Sequence, residues 1–238
     1  MNYADHYKKW NLQDPHSISI RVEIYKNLLR RLNISSTDKN ALDIGCGDGV
    51  FVKAMSEHGI TFCQGIDTNK NQIEMAQKNH SSCKLIENTL EFLHNHKEHF
   101  ELITCIDLIE HIQKEDQVKF LEYIHHALKP NGRLIIKTPN ANFSFGLRYR
   151  YIDWTHECSY TEHSIEYILQ LAGFRNITIT EAEISKICFD IRRPANIAKS
   201  SIRKIFRFFR RLEAIVELGT HEGKEIPLSP NLLIDAKK

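Results

Sequence analysis

The sequence lacks the features that mark a membrane-spanning or secreted protein. It contains no run of about 18 apolar residues, which is the length that a bilayer span needs, and no apolar signal region follows Met1. The six cysteines form no Cys-x-x-Cys pair, which argues against a zinc cluster or a disulfide framework. The sequence therefore predicts a protein of the reducing cytoplasm.

The chain also lacks a strong charge bias, internal repeats and low-complexity tracts. Its formal net charge is +2 over 238 residues, so its average charge does not indicate nucleic acid as a partner. An apolar content of 42% is enough for a proper core. We predict one domain over residues 1–238, with an N-terminal helix or lid at 1–37 and an insertion at 184–228.

Strand-like apolar runs alternate with helical patterns along most of the chain. This alternation predicts an α/β fold with a Rossmann-like, doubly wound and mostly parallel seven-stranded sheet. The predicted strands are Asn40–Ile44, Phe62–Ile66, Lys84–Ile86, Phe100–Ile106, Arg133–Thr138, Arg175–Glu183 and Asn231–Lys237. The predicted helices are Ile18–Leu32, Asp48–His58, Asn69–Asn79, Thr89–His96, Gln117–Leu128 and Thr161–Leu171, and a turn at 129–132 ends the fifth of them.

The most informative segment is Ala41-Leu-Asp-Ile-Gly-Cys-Gly-Asp-Gly-Val50, in which a strand runs into three alternating glycines. Glycines at this spacing allow a sharp turn and let a flat ligand lie against the main chain. Asp43 precedes the loop and suits a ligand that carries an ammonium group. Asp67 ends the next strand about 20 residues later, the spacing expected for a carboxylate that binds ribose. The alternative is a plain glycine turn in which both acids act as caps.

These features resemble the first two motifs of class I S-adenosylmethionine-dependent methyltransferases, whereas a dinucleotide fingerprint places its third glycine one residue later. The resemblance implies S-adenosylmethionine as cofactor and S-adenosylhomocysteine as product. It also implies an antiparallel edge strand from the pair Ile177–Thr180 and Leu232–Ile234. The predicted cofactor-binding residues are Asp43, Gly45, Cys46, Gly47, Gly49, Asp67, Asn88, Thr89, Cys105 and Asp107.

A second group of motifs indicates the acceptor side. Asp107-Leu-Ile-Glu-His111 is similar to the Glu-His pair of ubiquinone-type O-methyltransferases and of bacterial polysaccharide-modifying enzymes, as are Thr138–Asn140 and Asp153–His156. This resemblance implies methyl transfer to an oxygen of a small or glycan-like acceptor, and we favour a lipid-linked saccharide of surface polysaccharide or glycolipid biosynthesis. The rivals are a quinone-precursor O-methyltransferase, an RNA 2′-O-methyltransferase and a non-catalytic S-adenosylmethionine-binding module.

His111 and His156 are the predicted catalytic bases, because imidazole can accept a hydroxyl proton near neutral pH. His156 is preferred, since Asp153 lies three positions before it; for His111 the alternative is a core histidine that caps a turn. Acids and imidazoles at Asp107, Glu110, His111 and His156 also resemble the divalent-metal site of small-RNA 2′-O-methyltransferases. That family has Glu at the position of Asp107, so the metal remains a hypothesis. Near the N-terminus, a lid over the cofactor or ordinary helix packing is predicted for Tyr3, Tyr7, Trp10 and His16.

The segment Ile191–Leu212 is basic, with eight lysines and arginines and no acid. Apolar residues form one helical stripe within and just beyond it: Ile202, Ile205, Phe206, Phe209, Leu212 and Val216. Three interpretations fit this inserted basic amphipathic helix: peripheral contact of residues 195–218 with the inner face of a membrane, an oligomer or partner interface, or packing on its own domain. Nucleic acid is not expected as a partner, because basic residues are not clustered elsewhere.

Overall fold

The computed structural model describes residues 14–35, 40–80, 82–182 and 194–238, the last range with its side chains from residue 201 onward. The strands are β1 (Asn40–Ile44), β2 (Phe62–Asp67), β3 (Cys83–Leu85), β4 (Phe100–Ile106), β5 (Leu128–Pro139), β6 (Arg175–Glu181) and β7 (Asn231–Lys237). The helices are α1 (Pro15–Arg31), α2 (Val50–His58), α3 (Lys70–Asn79), α4 (Thr89–His94), α5 (Gln117–Ala127), α6 (Gly146–Tyr151), α7 (Glu162–Leu171), α8 (Pro194–Leu218) and α9 (Thr220–Glu225). The predicted lid residues Tyr3, Tyr7 and Trp10 lie outside the described residues.

The sheet has seven strands in the order β3-β2-β1-β4-β5-β7-β6. The first five in this order are parallel, and β7 lies antiparallel between β5 and β6. The predicted mostly parallel sheet with an antiparallel edge is therefore confirmed. The chain leaves β1 toward β2 and β3 and then returns to β4 on the other side of β1. This reversal creates a crevice beyond the carboxyl ends of β1 and β4, where open α/β sheets bind ligands.

Apolar side chains of the central strands alternate between two clusters, one on each face of the sheet. On β4, Ile103 packs in one cluster with α5 and α7, while Leu102 packs in the other with α1, α2 and α3. Both side chains are almost wholly buried. Complete burial of such a side chain contributes about 1.5–3 kcal/mol, so packing on both faces holds the strand ends of the site in place.

Helices α6 and α9 were not predicted. Another departure from the predicted elements is at 129–132, where a turn was expected between a helix and a strand. The helix does end there, at Ala127, but β5 already begins at Leu128. Phe100 pairs with Leu128 and Leu102 with Arg133, so the intervening residues bulge out of the β4–β5 ladder. Asn131 takes a positive φ of 63° in this bulge. The turn residues thus interrupt the pairing without ending the strand.

Helix α8 packs on the domain through its basic face. Arg207 forms an ion pair with Glu181 of β6 at 3.1 Å, and Arg211 donates hydrogen bonds to the carbonyls of Gly223 and Ile226. Apart from Phe206, which lies at the edge toward α6, the apolar stripe faces away from the domain, since Phe209 is 61% and Val216 79% exposed. Packing of the stripe on its own domain therefore does not fit the described structure. No described helix has the length and apolar character that a bilayer crossing requires.

Candidate functional site

The glycine loop after β1 is shaped by positive φ angles, which are 68° at Gly45, 52° at Gly47 and 75° at Gly49. A Cβ at Gly45 would lie only 2.8 Å from Leu108 Cδ1, and one at Gly49 would lie 3.1 Å from the carbonyl oxygen of Ala76. The positive φ therefore favours glycine at both positions, and a Cβ there would have to displace these neighbours.

Asp67 links this loop to the end of β2. Its Oδ2 accepts a hydrogen bond of 3.0 Å from the backbone N–H of Gly47, and its Oδ1 accepts one of 2.8 Å from that of Asn69. The carboxylate is thus oriented by the backbone on both sides. An oriented carboxylate at this position suits the vicinal hydroxyls of a ribose.

A cavity of about 590 Å³ opens at this edge of the sheet. It brings together seven of the predicted site residues: Gly45, Gly47, Asp67, Asn88, Thr89, Asp107 and His111. Its volume lies within the usual range for small-molecule and cofactor sites. Further lining residues that the sequence analysis missed include Asn69, Gln72, Leu108 and Phe120. Asn69 had a sequence signal, because its side chain caps α3 directly after β2.

Four other predicted cofactor-binding residues do not line the cavity in the described structure. Asp43 is 2% exposed and accepts a hydrogen bond of 2.6 Å from Thr104 Oγ1. Burial raises the pKa of Asp43 to about 7, although the bond from Thr104 opposes the shift. Cys46 and Cys105 are buried, and Gly49 precedes the first turn of α2. None of these four is among the described residues that line the cavity.

His111 and His156 come together although 45 positions separate them in the chain. Their ring centroids are 4.7 Å apart in an edge-to-face arrangement. His156 Nδ1 lies 2.9 Å from the carbonyl oxygen of Tyr149, and since a carbonyl only accepts, this nitrogen carries the proton. The lone pair of His156 is therefore on Nε2. The sequence analysis missed this contact with Tyr149.

The link from Asp153 runs to His111 by way of Thr155. Thr155 Oγ1 donates a 2.7 Å hydrogen bond to Asp153 Oδ1 and lies 2.8 Å from His111 Nδ1. The hydroxyl therefore accepts the Nδ1 proton of His111, which leaves the lone pair on Nε2. Burial lowers the pKa of His111, and neighbouring His156 adds to the effect. Burial tends to raise the pKa of Asp153, whereas the hydrogen bonds from Thr155 lower it. The net result is a pKa below the usual value of an aspartate.

Glu110 is a buried carboxyl beside the histidine pair. Its Oε2 accepts a hydrogen bond of 2.9 Å from Thr138 Oγ1, while Oε1 has no hydrogen-bond partner among the described residues. Burial raises the pKa of Glu110 to about 8, and the negative charge of Asp107 adds to the shift. A buried oxygen without a partner is costly, so Oε1 is suited to a cation.

One ligand atom each from Glu110, His111 and His156 lie within 4.8 Å of one another. Two imidazoles and a carboxylate are a donor set that suits zinc, manganese or iron, so these residues fit a divalent ion. Asp107, the fourth predicted ligand, lies outside this cluster. Both of its carboxylate oxygens are 2.7 Å from Lys137 Nζ.

Comparison with known proteins gives one family and a set of partial relatives. A family model described as a methyltransferase domain matches residues 18–179. The ubiquinone biosynthesis O-methyltransferase of Coxiella burnetii is 31% identical over 115 residues, which are 46% of this chain and 47% of that protein. The mitochondrial ubiquinone biosynthesis O-methyltransferase of Schizosaccharomyces pombe is 31% identical over 126 residues, covering 50% and 44%. The chain thus spans about half the length of the curated relatives it matches.

Solved structures agree on the fold. A SAM-dependent methyltransferase from Archaeoglobus fulgidus superposes with a TM-score of 0.65 at 24% sequence identity, over 91% of this chain and 94% of that one. At this identity the similarity shows that the two chains share a fold.

Proposed function

The chain belongs to the family of methyltransferase domains, and on that premise we propose that it transfers a methyl group from S-adenosylmethionine to a hydroxyl oxygen of a small acceptor. The observation that carries this proposal is that one cavity is lined by the glycine loop, by an oriented carboxylate, Asp67, and by an ordered histidine, His111. The sulfonium group of the donor supplies a methyl group that is already activated. The protein's own task is to position the acceptor and to take its proton.

A phenolic quinone precursor is the better-supported acceptor. The two relatives described above carry the name ubiquinone biosynthesis O-methyltransferase, and neither is named for a saccharide. The cavity also offers apolar surface beside His111, from Leu108, Ile112 and Phe120. RNA has less support, because the described residues that line the cavity include four acids and no lysine or arginine.

In this proposal the two histidines handle the acceptor proton. His111 lies in the cavity wall, held by Thr155 and Asp153, and presents Nε2 as the accepting atom. His156 packs against it and is oriented by the Tyr149 carbonyl. Alternatively, Glu110, His111 and His156 would hold a divalent ion, with the two histidines binding through these same Nε2 atoms; when bound, the ion would supply Lewis-acid polarisation of the acceptor hydroxyl in place of a histidine base.

A methyl-transfer assay with three acceptor classes tests the proposal. Protein is incubated with labelled S-adenosylmethionine and a prenylated catechol, a sugar nucleotide or a short RNA. We expect label on a catechol oxygen and background levels on the other two. Methyl transfer to the sugar nucleotide alone would indicate a saccharide acceptor. Transfer to none of the three would favour a non-catalytic binding module. Heat-inactivated protein serves as the control.

Cofactor binding is expected to depend on Asp67. Asp67→Ala should weaken binding of S-adenosylhomocysteine by roughly 1.5–3 kcal/mol, because it deletes hydrogen bonds to a charged acceptor. That loss corresponds to roughly 10–150-fold in Kd, which calorimetry measures. The control is Glu74→Ala, which removes an exposed acid of α3 outside the cavity lining. Equal Kd values for both variants would remove Asp67 from the site.

We further propose that residues 195–218 lie on an anionic membrane surface. Support comes from the outward apolar stripe of α8 and from the absence of acids at 201–212. At low salt, vesicles containing phosphatidylglycerol should co-sediment the protein, and neutral phosphatidylcholine vesicles should not. Phe209→Ser should reduce the bound fraction, whereas Phe62→Ser on β2 should not, although the two side chains are 61% and 60% exposed. If neither substitution changes vesicle binding, the apolar stripe of α8 does not contact the membrane, and a protein partner is then the better explanation of its exposure.

A further inference from the structure

A second cavity, of about 470 Å³, lies between the α6 segment and helix α8. We call it the seam pocket. The α6 side contributes Phe143, Phe145 and Tyr149, and the α8 side contributes Phe206 and the arginines at 203, 207 and 210. Aromatic rings and guanidinium groups thus meet in one concave site. This site shares none of its described lining residues with the cofactor cavity.

The arginines of the seam pocket are not equally neutralised. Arg207 is paired with Glu181 at 3.1 Å, and both side chains are mostly buried. Arg210 contacts Glu213 at 2.8 Å, but both side chains are solvent-exposed, and such pairs contribute little. Arg203 has no hydrogen bond or ion pair with another described residue. The described lining includes no acid, so the pocket is complementary to an anion.

The exposed aromatic rings of the seam pocket favour a ligand that has an apolar part in addition to its anionic group. Phe143 contacts Phe145 and Tyr149 edge-to-face, at centroid distances of 5.7 and 5.5 Å. Phe145 and Phe206 nevertheless remain 62% and 68% exposed. Covering this surface is favourable in proportion to the apolar area removed from water. An inorganic anion would leave the rings uncovered, and a neutral lipid would leave Arg203 without a partner.

We propose that the seam pocket binds an amphiphile whose carboxylate or phosphate head pairs with Arg203 while its hydrocarbon part covers Phe145 and Phe206. A bilayer phospholipid and a free fatty acid both have this chemistry. Binding is coupled to the histidine pair through α6, because Tyr149 lines the pocket and its carbonyl accepts the Nδ1 proton of His156. A ligand that immobilises α6 also orders His156. The inference does not depend on methyl transfer.

Titration with decyl phosphate below its critical micelle concentration tests the site by calorimetry. We expect decyl phosphate to bind at least about tenfold more tightly than inorganic phosphate or decyl maltoside, because only it satisfies both charge and apolar surface. Arg203→Gln should weaken binding about tenfold or more. Lys204→Gln makes the same charge change at the next residue, which does not line the pocket, and should have little effect. S-adenosylhomocysteine should bind both variants like the wild type.

Equal losses of decyl phosphate affinity in Arg203→Gln and Lys204→Gln would indicate diffuse charge attraction and overturn the site. Inorganic phosphate that binds as tightly as decyl phosphate would also overturn it. The His156 ring resonance should shift on binding in the wild type and not in Arg203→Gln. A resonance that stays unmoved at saturation would overturn the coupling. Displacement of decyl phosphate by short-chain phosphatidylglycerol identifies a bilayer lipid as the ligand, and displacement by decanoate alone identifies a free fatty acid. Both results support the site.

Discussion

Replacing His156 with alanine is expected to lower kcat by about 10²–10⁴-fold, the range that general base catalysis supplies. The ring lies against His111 with its proton on Nδ1, so its removal takes away both a candidate base and the neighbour of the second histidine. S-adenosylmethionine affinity should remain nearly unchanged, because His156 is not among the described residues that line the cofactor cavity. Single-turnover kinetics and calorimetry measure the two quantities separately.

Comparison with His111→Ala distinguishes how the pair works. Equal losses in the two single variants, with no further loss in the double variant, would mean that the histidines act as one unit. His163→Ala, which removes an exposed histidine of α7, is the control and should retain wild-type turnover. Near wild-type kcat in His156→Ala would mean that the loop around it has a structural role only.

If Glu110 binds a divalent ion together with the two histidines, removal of that ion is expected to lower kcat by about 10²–10⁴-fold, as expected for His156→Ala. Its buried Oε1 has no hydrogen-bond partner among the described residues, and a cation would compensate that cost. Dialysis against EDTA should therefore abolish most turnover, and one divalent metal should restore it. Glu110→Gln should bind less metal, as measured by elemental analysis of the purified protein, independently of any assay of turnover.

The control for this experiment is Asp107→Asn. Asp107 pairs with Lys137 and lies outside the ligand cluster, so this variant should retain the bound metal. If EDTA does not change the activity and the protein contains no stoichiometric metal, the histidine pair acts as a base without a metal. In that case the Glu110 carboxyl is held neutral by burial near neutral pH, consistent with its pKa of about 8.

Much of the fold was predictable because its signals are local. Apolar runs and glycine positions marked the strands and the loop, and β7 was predicted with the bounds that the structure has, Asn231–Lys237. The start of α7 is another local case: the helix was predicted from Thr161, and Thr161 forms a capping box with Ser164, only three positions away. The seven cavity-lining residues were likewise predictable, because carboxyl ends of parallel strands meet at one edge.

What the sequence by itself determined, then, are most of the elements (α6 and α9 excepted), their mostly parallel pairing and the edge at which the site forms, since these follow from periodicity and short-range hydrogen bonds. The tertiary structure decided which groups meet there. Asp153 precedes His156 in the chain but reaches His111 through Thr155, a contact across 44 positions. It also decided which face of α8 turns inward. Periodicity defines two faces, but the partners of Arg207 and Arg211 lie on β6 and around α9, and no local pattern encodes such distant contacts.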